Sequence, residues 1–298
     1  MSSLIDAVAE DEVRGLGAEG SSHASPGTDP PEIVFERRSG WQVVDLGELW
    51  RYRELLFFLA WRDVKVRYKQ TLLGASWAVL QPLMLMAAFT IFFSRMAGMS
   101  SGGVPYPLFA MAGLLPWIFF SAGMTSAGNS VVGSERLITK VYFPRLLVPF
   151  AAVGAPVVDF LMSLGLLALM MAYYRIVPGP GLLLAPAIFG VVVLAALGLG
   201  TLLAALNVAY RDFKAVIPFL TQIWMFATPT IYMETARTPR AVLWLNPMAA
   251  LIASFRAALL GETIPWGPLG LATILVIATC LVGCLYFRKS EQSFADLI

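Results

Sequence analysis

A single histidine, two cysteines and a charged fraction of only 13% leave this 298-residue chain short of the usual equipment of an enzyme. A soluble globular chain carries about 25% Asp, Glu, Lys and Arg, so close to half of the expected charge is missing. The histidine, His23, lies in a polar N-terminal stretch far from the apolar segments, which leaves those segments without a histidine base. Cys280 and Cys284 sit one helical turn apart inside an apolar run, where thiols act as small packing residues. A zinc site would need further ligands, so no metal site is expected. No lysine follows a glycine: Lys65, Lys69, Lys140, Lys214 and Lys289 follow Val, Tyr, Thr, Phe and Arg. The phosphate-cradling G-x-x-x-x-G-K-[ST] loop is therefore absent, and the chain has no route to ATP hydrolysis through it.

What the sequence does have is apolar length, with 58% hydrophobic residues. A bilayer crossing takes about 20 apolar residues. Windows of that kind fall at Ser76 to Ala97, Leu108 to Val132, Leu146 to Tyr174, Leu182 to Val208, Ala215 to Met233 and Gly267 to Phe287. The expected fold is an all-α integral membrane protein of six transmembrane helices. Residues 1–32 are acidic, rich in Ser, Gly and Pro, and almost free of aromatics. Such a stretch buries too little apolar surface to order itself, and it lacks the apolar core of a cleaved signal peptide. The expected organisation is a disordered tail over 1–32, a cytoplasmic segment over 33–74 and the six-helix domain over 75–298.

Charge sets the orientation. Six spans place both termini on one side, flanked by Arg62, Lys65, Arg67, Lys69, Arg136, Lys140, Arg145, Arg211, Lys214, Arg288 and Lys289. The other side has Arg95, Arg175, Arg237, Arg240 and Arg256. Eleven against five puts both termini in the cytoplasm by the positive-inside rule. Topology thus accounts for the basic clusters, and no nucleic-acid partner is expected.

The stretch "RDVKVRYKQTLLGASWAVLQPL" joins a basic helix to the first span. Phe57, Trp61, Val64 and Tyr68 recur at helical spacing on one face, with Arg62, Lys65 and Lys69 on an adjoining one. Asp63 and Arg67 have the i,i+4 spacing of a helix-surface ion pair. Aromatics on one side and cations on another describe a helix at the membrane interface. It either serves as a simple anchor or presents a surface to anionic headgroups and a cytoplasmic partner. Leu73-Gly74 supplies a flexible point at which the chain turns into the span. In "GSERLITKVYFPRLLVPF", Ser134 is placed to cap a short helix starting at Glu135; the loop is a docking element or an ordinary connection. On the outer side, "NPMAALIASFRAALLGE" is too apolar for a free loop and too short to span, which fits re-entrant or interfacial helices.

Asp159 is the one carboxylate well inside an expected span. Intramembrane charge is costly, and it reads either as a proton relay or as a structural hydrogen bond or water-facing group. Ala196, Gly200 and Ala204 form a small-residue stripe that permits close helix packing. "GMSSG" matches G-x-S-x-G, but the strand-turn-helix setting and histidine base of a nucleophile elbow are missing.

"YKQTLLGASWAVLQPL", "ITKVYFPRLLVPF", "AYRDFK", "FATPTIYM" and "NPMAALIASFRAALLG" occur in the order found in permease subunits of type-2 ABC exporters. From about Leu49 onward the chain resembles the branch that exports O-antigen, capsule and teichoic acid. The resemblance implies a homodimer docked on two copies of a cytoplasmic ATPase, which would bind ATP and magnesium, this chain carrying no cofactor. It implies a lipid-linked polysaccharide as cargo and the cytoplasmic (inner) membrane of a bacterium as location. The entrance for the lipid pyrophosphate would involve Arg62, Lys65, Lys69, Leu73 and Gly74. ATPase coupling would involve Glu135, Arg136, Ile138, Lys140 and Arg145. The first and fifth spans would line the glycan path, with Phe89, Phe92, Phe93, Trp224, Phe226 and Tyr232 as candidates for stacking on sugars. A drug or small-lipid exporter of the same superfamily is the nearest alternative. A membrane glycosyltransferase or acyltransferase would want paired acids, a metal site or an intramembrane histidine, none of which the spans contain.

Overall fold

The computed structural model describes residues 46–69, 74, 76–96, 103–138, 140, 143–210, 212–228, 246–291 and 294. Among them the regular structure is helical, without a strand. In chain order the helices are α1 (Leu46–Arg51), α2 (Arg53–Lys69), α3 (Ser76–Phe89, extended by a π-helical turn over Thr90–Met96), α4 (Tyr106–Gly133) and α5 (Glu135–Ile138). They continue with α6 (Leu147–Ala152), α7 (Gly154–Tyr173), α8 (Ala185–Ala209, preceded by a 3-10 turn over Pro180–Leu184), α9 (Phe213–Ala227), α10 (Pro247–Leu260) and α11 (Trp266–Glu291).

Five segments are long and apolar enough to cross a membrane: Ser76–Phe93, Tyr106–Gly133, Leu147–Tyr173, Pro180–Ala209 and Trp266–Glu291. They coincide with five of the six windows read from hydropathy. The remaining window appears as α9, an apolar helix of 15 residues, and positions 229–233 of that window lie outside the described residues. The third span is in two pieces, α6 and α7, meeting at Val153. Helix α10 has 14 residues, roughly 21 Å at 1.5 Å per residue, which is short of the hydrocarbon thickness of about 30 Å.

Burial ranks the helices. In α4, 78% of the apolar window is buried by protein, whereas in α3 the share is 6%. Helix α4 is thus the central post, and α3 leaves most of its surface free. The post is held chiefly by α8, and the seam between them is built from the smallest side chains. Gly123 lies against Ala196, and Gly200 lies so close to Ala127 that a Cβ added at Gly200 would stand 2.5 Å from the alanine methyl. Ala196, Gly200 and Ala204, the stripe seen in the sequence, are all buried. Without a hydrophobic drive between helices in lipid, such close backbone approach is what holds a pair together. Around the seam, Phe119, Phe160 and Phe189 interlock, the last two stacked with centroids 3.8 Å apart.

Helix α10 is buried along nearly its whole length against α4, α8 and α11. Asn246 accepts the Met248 N–H at its start (3.1 Å), and Gly261 ends it with a left-handed φ of 76°. The Arg256 guanidinium lies over the Phe109 ring at 3.9 Å from its centroid.

The seam yields the first prediction. Gly200→Val should lower stability by about 1–3 kcal/mol through overpacking. Gly190→Val on the same helix should be nearly neutral, since nothing lies within 4 Å of a Cβ there. Thermal unfolding of both variants in lipid nanodiscs, with equal loss in the two as the contrary outcome, checks it.

Candidate functional site

Three contacts carry α2 and the start of α3 up one side of the third span. The Ala60 methyl meets Gly154, where a Cβ would stand 2.8 Å away. Farther along, Arg67 donates to Asp159 Oδ2 at 2.7 Å, and the Tyr68 O–H donates to Asp159 Oδ1. Beyond that, the Ser163 O–H donates to the Ala78 carbonyl at 2.8 Å. The contacts advance in the same direction along both chains, so α2 climbs beside α6 and α7. The first span therefore begins level with Ser163, well inside the third.

The carboxylate in the third span thus finds its partners in α2, outside the spans. Burial, reinforced by the hydrogen bond and the negative charge of Asp159, pushes the Tyr68 phenol up from its ordinary value, so it stays protonated and donates. The i,i+4 pair expected between Asp63 and Arg67 is not made. Arg62 instead holds Asp63 Oδ1 through Nε (3.0 Å) and Nη2 (2.9 Å). The reason is position: Arg67 faces the third span, which offers a less exposed carboxylate, and Asp63 falls to its chain neighbour.

The other residues expected at an entrance divide. Lys65 is exposed and rests over the exposed Trp61 ring at 5.6 Å, while Lys69 is exposed at the end of α2. Arg62 is committed to Asp63. Phe57 and Trp61 stack, both facing outward. Gly74 has φ +48°, a left-handed backbone that favours glycine, and its carbonyl takes the Trp77 N–H at 3.4 Å. Leu73 lies outside the described residues.

Two cavities flank the Arg67–Asp159 pair. The larger, about 1030 Å³, lies among α3, α4, α7 and α9 and carries Trp77, Gln81, Thr125, Asp159, Thr221 and Gln222 on its walls. The smaller, about 430 Å³, lies between α2, α4 and α6, with Arg62, Asp63, Asn129, Ser130 and Ser134 among its lining. Arg67 and Ser126 belong to both. One polar face of α4, running Thr125, Ser126, Asn129, Ser130, thus serves each in turn. Asn207 of α8 backs it from behind, donating to the Gly128 carbonyl and to Asn129 Oδ1. Amide and hydroxyl groups with an indole at hand can bind polyhydroxylated or headgroup chemistry.

Of the residues expected to couple to an ATPase, Glu135, Arg136 and Ile138 lie in the short helix α5. Its N–H groups at Leu137 and Ile138 bond the Ser134 carbonyl at 2.9 and 3.1 Å. Glu135, Arg136 and Lys140 are exposed, and Ile138 is buried in a cluster with Phe143, Leu146, Phe287 and Phe294. The helix ends at Ile138 rather than running toward Arg145. Arg145 is instead a tie: its Nη1 donates to the Glu291 carbonyl at 2.6 Å and its backbone N–H to Glu291 Oε1 at 3.3 Å.

The aromatic candidates separate likewise. Phe89 and Phe93 are half-buried and pack on the cluster of Tyr106, Phe109 and Leu114. Phe92 and Phe226 are exposed, at 60% and 61%. Trp224 meets Trp117 and Phe120 edge-on, and its Nε1 donates to Asn246 Oδ1 at 3.1 Å. Tyr232 lies outside the described residues. Hydropathy reading missed Asn246, although the Asn-Pro start of "NPMAALIASF" was the signal of a capped helix. Asn246 also donates to Thr228 Oγ1 at 2.8 Å, so one amide joins the end of α9 to the start of α10.

Residues 54–260 match the family model described as ABC-2 type transporter. The chain belongs to the ABC-2 type transporter family. Among relatives of this family, the O-antigen export system permease protein RfbA of Myxococcus xanthus is 31% identical, over 84% of this chain and 98% of its own length. A protein of the same name from Klebsiella pneumoniae is 25% identical, over 82% and 95%. The polysialic acid transport protein KpsM of Escherichia coli is 21% identical, over 78% and 92%. The matched region contains α2, both cavities and α10, and the ABC-2 chain is a multi-pass membrane protein.

Asn246→Ala removes the α10 cap, worth about 1 kcal/mol, and leaves the Trp224 indole N–H unpaired at about 1–3 kcal/mol. The variant should lose about 2–4 kcal/mol, and Asn246→Asp should recover much of it because both acceptor contacts survive. Thermal unfolding of the pair checks this; equal loss in both variants would assign the effect elsewhere.

Proposed function

We propose that this chain is the transmembrane permease subunit of an ATP-driven exporter that moves a lipid-linked polysaccharide, of O-antigen, capsule or teichoic-acid type, across the bacterial cytoplasmic membrane. One observation carries the reading: 31% identity to an O-antigen export permease over 98% of that protein's length. The cavity walls support it, since Trp77, Gln81 and Gln222 combine a stacking surface with amide donors and acceptors.

In this reading the working unit is a homodimer with two copies of a cytoplasmic ATPase, which bind ATP and magnesium. Helix α9 belongs to a sixth span, α10 is re-entrant from the outer side, and both termini are cytoplasmic. The residues then fall into the tail over 1–32, the segment over 33–74, which enters from the cytoplasmic side and whose α2 climbs beside the third span, and the transmembrane domain over 75–298. The exposed apolar faces of α3 (Trp77, Met84, Ile91, Phe92) and α9 (Phe219, Leu220, Ile223, Phe226) are surfaces that a second copy and the cargo would share. Helix α5 is pressed against the ATPase through Glu135, Arg136 and Lys140, with buried Ile138 fastening it to the spans.

The entrance reading is tested at the exposed cations. Juxtamembrane cations contribute about 1 kcal/mol each at an anionic surface, so single changes should be nearly silent. The triple replacement Arg62→Gln, Lys65→Gln, Lys69→Gln should cut surface polysaccharide at least several-fold while co-purification of the ATPase is retained. Normal export from a normally expressed triple variant would reduce this face to an anchor.

The coupling reading is tested at Ile138. Ile138→Ala opens a cavity beneath α5, a change that costs about 2–5 kcal/mol in well-packed interiors. The variant should insert and bind the ATPase, yet its ATPase should no longer respond to the permease. Full coupling in the Ile138→Ala complex would place transmission elsewhere, with Asp212 and the α8–α9 turn the next position to examine.

A further inference from the structure

We propose that Asp159 is a positioning residue: through Arg67 and Tyr68 it pins the C-terminal end of α2 to the third span, making that end the wall between the two cavities. Asp159 lies near the middle of the third span, in the second turn of α7, and its carboxylate is only 17% exposed. A charge at such a depth needs a countercharge, and both of its described polar partners come from α2. The two oxygens are divided, Oδ2 to Arg67 and Oδ1 to Tyr68. Loss of either partner would leave one carboxylate oxygen without its described hydrogen bond.

The consequence is geometric. Just beyond α2 the chain passes Gly74 and enters α3 level with Ser163. Irregular backbone at that depth is tolerated only where it is buried in protein or lines a cavity, and Gly74 does line the larger cavity. Arg67 stands on both cavity walls, opposite Ser126, which also lines both. Releasing the pin would let this end of α2 move off α7 and merge the two spaces. The other clamp on α2, the contact of Ala60 with Gly154, would remain as the pivot. This inference goes beyond the export reading and needs no cargo for its test.

Hydrogen–deuterium exchange of the full chain in nanodiscs with its ATPase reads the pin directly. Asp159→Asn should raise exchange over residues 61–69 at least ten-fold, with α4 and α8 unchanged. The exchanged pair Arg67→Asp with Asp159→Arg should restore protection, and Tyr68→Phe should give a smaller rise confined to the same residues. Unchanged exchange over 61–69 in Asp159→Asn would overturn the proposal. So would loosening spread equally through α4 and α8, which would make Asp159 a general stability residue. Should Asp159→Asn fail to accumulate, Arg67→Gln and Tyr68→Phe alter only the α2 side, and absence of a local rise in both overturns it equally.

Discussion

The close approach of α4 and α8 is the constraint from which the rest of the bundle follows. Where Gly123 faces Ala196 and Ala127 faces Gly200, two backbones meet with almost no side chain between them. That contact fixes α4 as a rod buried on most sides. A buried rod can carry polar residues along one edge at little cost, provided the edge is turned toward space or toward other polar groups. Thr125, Ser126, Asn129 and Ser130 occupy that edge, and Asn207 braces it from α8. Both cavities owe their polar walls to a helix that could not be so polar if it faced lipid.

Much of this was legible in the residues because bilayer crossing is a one-dimensional property. Apolar length alone located Tyr106–Gly133 and Trp266–Glu291 to within a few positions, and the stripe Ala196, Gly200, Ala204 announced a tight seam. Pairings across the fold were another matter. Asp63 and Arg67 have ideal helical spacing, yet spacing cannot reveal that Arg67 faces a second carboxylate from the third span. Asp159 has no partner within any span, and only the climb of α2 beside α7 brings one. Helix α5 is described over Glu135–Ile138 only, and Ile138 packs with Phe143 and Phe287, a tertiary contact that no local capping signal encodes. Trp224 illustrates the same limit: an aromatic in an apolar window reads as lipid belt or path, whereas its indole N–H is engaged with Asn246.

Among the described residues, ionic groups concentrate where α2 meets the third span and where α5 lies near the end of α11. Elsewhere, single polar side chains mostly satisfy their own helices, as Thr221, Thr273 and Thr279 do by bonding the carbonyl one turn back.

The tie between Arg145 and Glu291 changes what the end of the chain is. Glu291 closes the last span, and Phe294 beyond it packs edge-on against Phe287 at 5.2 Å in the same cluster as Ile138. Glu291 and Phe294 therefore lie beneath α5 and the start of the third span. A bundle whose last span merely reached the aqueous side could be shortened there without effect. Here the entry to the third span and the end of the last, 146 residues apart in sequence, are buttoned together. A truncation after Lys289, or a bulky fusion inserted there, would be felt first at α5 and the entry to the third span.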